Sequence, residues 1–171
     1  HNCGLKDCIL DIATHTDFLA KFGKSQMQKK GRYRKGIGIG VSSYFGGSLI
    51  YPNSSSVIVK MNDDGSVALL TGSLDIGQGA ETILCQIVAE ELKIPIEEVQ
   101  VIAADTETTP VDIGVWISGN AYVTGNAARE AADDVRQKLL TMAAEEFNTD
   151  IENLTVQNKH IYITSEPERS L

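Results

Sequence analysis

Apolar residues recur at Leu5, Cys8, Ile9, Ile12, Ala13, Leu19 and Phe22, close to a helical period, so an amphipathic helix is predicted over 5–22. Gly23 and the polar run 24–34 then read as a connector between lobes. Ile37, Ile39 and Val41 alternate with Gly36, Gly38 and Gly40, which predicts a strand with a close neighbour on its glycine face. A glycine-rich, mobile segment is expected over 46–56. The β-prone runs 57–61 and 67–70 flank Asn62-Asp63-Asp64-Gly65, where Gly65 can supply the positive φ of a hairpin turn. After Gly77-Gln78-Gly79 the period changes: Ile83, Leu84, Ile87, Val88 and Leu92 form one stripe of a helix that Pro95 is expected to end. Residues 99–104 read as a strand and 105–114 as a loop held partly by Pro110. An alanine-rich helix is predicted over 121–147, and 154–156 with 160–163 suggest a second hairpin. The order defines an α+β fold, a mixed sheet with hairpins packed against two long helices. Residues 1–30 are assigned to the helix and linker of a preceding lobe and 31–171 to the main domain.

A hydrophobic share of 42% is ordinary for a globular domain and large enough to build a core. The formal charge of -8 repels phosphate polymers and anionic membranes, so neither nucleic acid nor a membrane surface is an expected partner. Lys29, Lys30, Arg32, Arg34 and Lys35 form a local basic cluster, read as a solvated linker. Cys3, Cys8 and Cys85 lack the spacing of a disulfide scaffold, which points to a reducing, cytoplasmic compartment. With no second Cys/His pair, Cys3 and Cys8 are ordinary thiols rather than metal ligands, and three scattered cysteines cannot hold an iron–sulfur cluster. There is neither a long apolar run nor a signal pattern, so a soluble chain is expected. A start at His1 suggests processing, a tag remnant or excision from a longer chain.

The chemistry concentrates in Gly72-Ser73-Leu74-Asp75-Ile76-Gly77-Gln78-Gly79, where a strand turns into a buried helix. Backbone N–H groups are unpaired at such a helix start and the dipole favours negative charge, so a phosphate is a natural occupant. Gly77 and Gly79 permit close approach of a ligand, and the Gln78 amide donates and accepts at once, a combination suited to a polar heterocycle with a phosphate tail. The competing reading is a tight turn whose glycines only relieve strain.

Gly72 to Gly79, the helix to Pro95, the strand to Asp105, Thr109-Pro110-Val111-Asp112-Ile113-Gly114 and Gly125-Asn126-Ala127-Ala128 together resemble the molybdopterin-binding large subunit of molybdenum hydroxylases of the xanthine dehydrogenase and aldehyde oxidase type. Within that family the pattern is most similar to the α subunit of 4-hydroxybenzoyl-CoA reductase and bacterial xanthine dehydrogenase-like relatives. The resemblance runs over 31–164, roughly a fifth to a quarter of a full large subunit. It implies a molybdenum atom held by the dithiolene of a pterin cofactor, often the cytosine dinucleotide form in bacteria. The family's Gly-Gln-Gly glutamine contacts the pterin; here it is Gln78, between Gly77 and Gly79. The family's second cofactor-contacting stretch corresponds to Val115-Trp116-Ile117-Ser118-Gly119-Asn120, with Ser118 and Asn120 as the side-chain candidates. Relatives carry an Arg after this Ser, whereas this chain has Gly119, one positive donor fewer.

The resemblance further implies hydroxylation of an aldehyde or aromatic heterocycle with oxygen from water, or reductive dehydroxylation of a hydroxybenzoyl-CoA. Electrons pass to iron–sulfur clusters and FAD on other domains or subunits. The family's basic glutamate lies in a Gly-Val-Gly-Glu context that this sequence lacks, as it lacks a Gly-Gly-Phe-Gly-Gly-Lys loop, so no catalytic residue is assigned and the chain alone is expected to be inactive. The remaining segments of the large subunit, the iron–sulfur and flavin components and a small-molecule substrate are its expected partners. A second reading, a non-enzymatic interaction or assembly domain that kept the fold and lost the cofactor, is encouraged by Gly119. Asp105, Glu107 and Asp112 read as an ordinary acidic loop, Gly36 to Gly40 as a packed strand rather than a dinucleotide loop, and Trp116 as either a pterin cover or core.

Overall fold

The computed structural model describes residues 4–27, 31–42, 44, 54–116 and 118–171. The chain divides into two units, His1–Tyr44 and Phe45–Leu171. In the first, helices α1 (Leu5–His15) and α2 (Phe18–Met27) replace the single helix expected over 5–22. The reason is local: Asp17 takes a left-handed φ of 52°, and the hydroxyls of Thr14 and Thr16 bond back to the carbonyls of Leu10 and Ile12. Gly23 does not stop α2, which runs on into the expected connector. The strand expected over 37–41 is not formed, and a Cβ on Gly36, Gly38 or Gly40 would meet nothing within 4 Å. Among the described residues no neighbouring strand supplies the ladder that would offset glycine's loss of backbone entropy. Residues 46–53, most of the segment expected to be mobile, lie outside the described residues.

In the second unit β1 (Val57–Met61) and β2 (Val67–Thr71) pair antiparallel through the expected turn, in which Gly65 has φ 78° and donates its N–H to the Asn62 carbonyl at 3.0 Å. From β2 the chain crosses through α3 (Ala80–Leu92) to β3 (Val99–Ala103), which pairs parallel with β2. The register puts Val59, Leu69 and Val101 side by side, and Val67 beside Val99, on the face covered by α3 and α4 (Asn120–Phe147). Leu69, Leu84, Val88, Ala128 and Ala132 lie at the centre of that core. Small residues on α4 let it lie close to α3: a Cβ on Gly125 would come within 2.9 Å of Ile87 Cδ1. Arg136 of α4 completes the contact by bridging Glu91 on α3 at 3.0 Å and Asp133 on its own helix at 2.8 Å.

Helix α3 ends earlier than expected, because Lys93 turns left-handed at φ 57° and Pro95 instead opens a 3-10 turn. The last turn of α4 packs on a second, antiparallel sheet of β4 (Leu154–Gln157), β5 (His160–Ile163) and β6 (Glu166–Ser170), with Ala143, Phe147 and Ile163 at the contact. The hairpin of β4 and β5 was expected, with Asn158 and Lys159 both at positive φ in its turn. Strand β6 was not, since Glu-Pro-Glu-Arg-Ser is exposed throughout and shows no alternation. The fold is α+β with mixed and antiparallel sheets, as the patterning predicts.

Candidate functional site

Parallel strands β2 and β3 end side by side, and the loops that follow them, 72–79 and 104–119, open at that edge. In sheets with helical crossovers, the carboxyl ends of the strands are where ligands bind. Four contacts fix the loops there. A Cβ on Gly72 would lie 2.3 Å from the Pro110 carbonyl oxygen and 2.9 Å from Asp112, so the backbones touch as only glycine allows. Ser55, just ahead of β1, forms an antiparallel bridge with Asp112 and donates its hydroxyl to Asp112 Oδ2 at 2.6 Å. Asp112 Oδ1 accepts the Gly114 N–H at 2.7 Å. Finally, Ser73 Oγ donates to Asn120 Oδ1 at 2.7 Å, tying the first loop to the start of α4.

Gly77 and Gly79 have φ of 100° and 78°, and Gly79 stands at the N-cap of α3. Their N–H groups, which the sequence reading offered to a phosphate, are turned on the Asp75 carboxylate at 2.7 and 3.4 Å. The Gly77 N–H above all, joined by the amides of Gly79, Glu81 and Ala80, holds this carboxyl below its ordinary pKa. The start of α3 therefore carries its own anion, a role for Asp75 that the sequence reading missed although an Asx residue ahead of a glycine turn is a recognisable signal. Gln78 is exposed and closes the same loop: Oε1 accepts the Ile76 N–H at 2.7 Å, while Nε2 donates to the Leu74 carbonyl at 3.0 Å. One N–H of that amide and one lone pair remain for a ligand.

The other two candidates differ from each other. Ser118 is exposed, with a left-handed φ of 55°. Asn120, the first residue of α4, lines a small cleft with Ser55, Asp112, Trp116 and Gly119. The N-cap of α4 is Gly119, with no side-chain cap and no acidic residue in the first turn; the Tyr122 N–H donates to the Gly119 carbonyl at 3.1 Å, while those of Asn120 and Ala121 have no acceptor among the described residues and are left for an outside one. Trp116 is half-buried at the mouth of the cleft, in contact range of Gly114. Asp105 is spent within its own loop, accepting the Glu107 N–H at 2.9 Å. Among the described residues no group of His, Cys, Asp and Glu could hold a metal ion. Cys8 is exposed, whereas Cys85 is half-buried and its thiol is raised in pKa, first by burial and then by Glu81.

A strand–loop–helix edge with a glycine turn on one lip and a helix start on the other is where mixed-sheet domains hold ligands, and comparison with known proteins specifies the class. The family described as molybdopterin cofactor-binding domain matches residues 12–171, so this chain belongs to that family. The xanthine dehydrogenase molybdenum-binding subunit of Escherichia coli O157:H7 is 32% identical over the whole chain, which spans 23% of that subunit's length. The γ subunit of the 6-hydroxypseudooxynicotine dehydrogenase complex of Paenarthrobacter nicotinovorans is 34% identical over 85% of this chain and 18% of its own. Among solved structures, the Cu,Mo-CO dehydrogenase matches with a TM-score of 0.64 and 27% identity over 72% of this chain and 16% of that one. The chain thus corresponds to less than a quarter of the relatives it matches.

Proposed function

We propose that the chain forms one wall of the molybdenum-cofactor site in the large subunit of an oxidoreductase of the xanthine dehydrogenase type. The observation that carries this reading is the uncapped start of α4 with Asn120 in the cleft below it, facing loop 72–79 across the strand ends. These residues fit an anionic, polar heterocycle. The N–H groups opening α4 and the Asn120 amide would hold the phosphate-bearing tail, with the Ser118 hydroxyl beside them; the remaining amide capacity of Gln78 would meet the pterin. Gly77 and Gly79 shape the turn that presents Gln78, and they do so around Asp75 rather than around a phosphate. Gly119 makes the tail contact depend on neutral donors where relatives would add a charged one.

When bound, the cofactor supplies the two-electron chemistry; this chain binds and orients it. We assign the complete protein hydroxylation of an aldehyde or aromatic heterocycle, or the reductive dehydroxylation of a hydroxybenzoyl-CoA. Relatives whose names specify xanthine and 6-hydroxypseudooxynicotine dehydrogenases support the oxidoreductase class. Iron–sulfur and flavin components complete the electron path, and the pterin carries a cytosine nucleotide. Residues ahead of 31 belong to a preceding lobe, and the compartment is the cytoplasm.

The test is Gln78→Ala in the complete enzyme, with molybdenum and pterin measured per subunit. Loss of the pterin contact should weaken retention by about 1 to 3 kcal/mol if the partner atoms are buried. Unchanged metal and pterin content would remove Gln78 from the site.

A further inference from the structure

Among the described residues the buried polar side chains are Thr71, Ser73 and Thr124, at 0%, 1% and 2% exposure, and all three meet at the junction of β2 with α4. Buried hydroxyls must find acceptors, and two of these, on Ser73 and Thr124, converge on one atom. Ser73 Oγ donates to Asn120 Oδ1 at 2.7 Å and Thr124 Oγ1 to the same oxygen at 2.9 Å. Thr71 Oγ1 in turn accepts the Ser73 N–H at 3.1 Å, which fixes the backbone that carries the first of these donors. An amide oxygen offers two lone pairs, so Asn120 Oδ1 is filled, and its N–H2 group has no hydrogen-bond partner among the described residues. Nor is the side chain spent as a helix cap, because the start of α4 has none.

We infer that Ser73 and Thr124 are positioning residues, which clamp the oxygen end of the Asn120 amide so that its N–H2 end is kept as a donor for the anionic tail of the cofactor. This rests on the site reading given above. Apolar residues could fill the same space without burying two hydroxyls, so packing alone does not account for the cluster. A donor held before its ligand arrives loses less rotamer entropy on binding, which is the advantage such a clamp confers.

The experiment uses the complete enzyme with its partner subunits and measures molybdenum and pterin per subunit, alongside the unfolding midpoint of the cofactor-free form. Thr124→Val keeps the shape and removes the hydroxyl, and Ser73→Ala removes the other; each is expected to lower cofactor content about 3- to 10-fold, the worth of one net hydrogen bond. Thr124→Ser, which restores the hydroxyl, should return content to about the parent level, within roughly twofold. Asn120→Asp keeps both acceptor bonds but removes the N–H2 group, and should lose cofactor while the cofactor-free midpoint holds. The inference is overturned if Asn120→Asp retains full cofactor, if Thr124→Ser is as poor as Thr124→Val, or if Ser73→Ala and Thr124→Val stay loaded while Asn120→Ala does not. In the last case the site itself stands. Full loading of Asn120→Ala would instead remove Asn120 from the site and the clamp with it.

Discussion

Two glycines show how differently one added methyl can be received. At Gly72 the new Cβ would strike the Pro110 carbonyl oxygen and the Asp112 backbone, neither of which can rotate away. Gly72→Ala should therefore cost about 3 kcal/mol, at the upper end of overpacking penalties, and a denaturant titration reads it directly. At Gly125 the obstacle is the far end of the Ile87 side chain, which can turn aside, and the helix gains about 1 kcal/mol from the better former. Gly125→Ala should consequently change stability by less than about 1 kcal/mol in either direction. Asp75 is a third residue with a distinct signature. Its pKa is depressed in the folded chain by the amides it caps, so the stability it confers is present above the unfolded carboxylate value and is lost as pH falls through the lower folded one. Amide exchange at Gly77 and Gly79 should accelerate, relative to the intrinsic rate, on acidification through that window. Asp75→Ala, which removes the acceptor, should show fast exchange at every pH; protection unchanged in that variant would deny Asp75 its capping role.

Among the elements, α3 buries Ala80, Leu84, Val88, Ala89 and Leu92. Leu84 is 1% exposed between the sheet and α4, and Leu84→Ala should cost about 2 to 5 kcal/mol by equilibrium unfolding. That helix was legible in the sequence because five apolar residues repeat on one face, and the β1–β2 hairpin because its two runs flank an Asn-Asp-Asp-Gly turn. The segment 37–41 carried the same alternation without forming a strand, since its second face is glycine and brings nothing to bury. Strand β6 hid for the opposite reason: it is an exposed edge held by backbone pairing to β5, and such pairing leaves no mark on hydrophobic period. The break between α1 and α2 came from side chains competing for carbonyls, a choice that periodicity does not register. In the site, the loop and both glycines were readable from spacing, but Asp75 as the resident anion and the hydroxyls around Asn120 depend on contacts between distant segments and became visible only in the fold.

At the scale of the whole molecule, the site edge is left open. Ile76 is 70% exposed and Val111 86%, and with Leu74 and Ile113 they ring the strand ends with bare apolar side chains. Good ligand sites bury most of their occupant, and one wall cannot. The chain on its own should therefore retain no stoichiometric molybdenum or pterin, a result that metal analysis of the purified protein checks; near-equal molybdenum content would contradict it. In a complete subunit those apolar residues are where neighbouring segments would close the cavity. The close approach at Gly72 has a bearing on how that closure would be felt. With no space for a methyl group between the end of β2 and residues 110–112, these two loops already abut, so segments that close the cavity would bear on one continuous edge rather than on two separate loops.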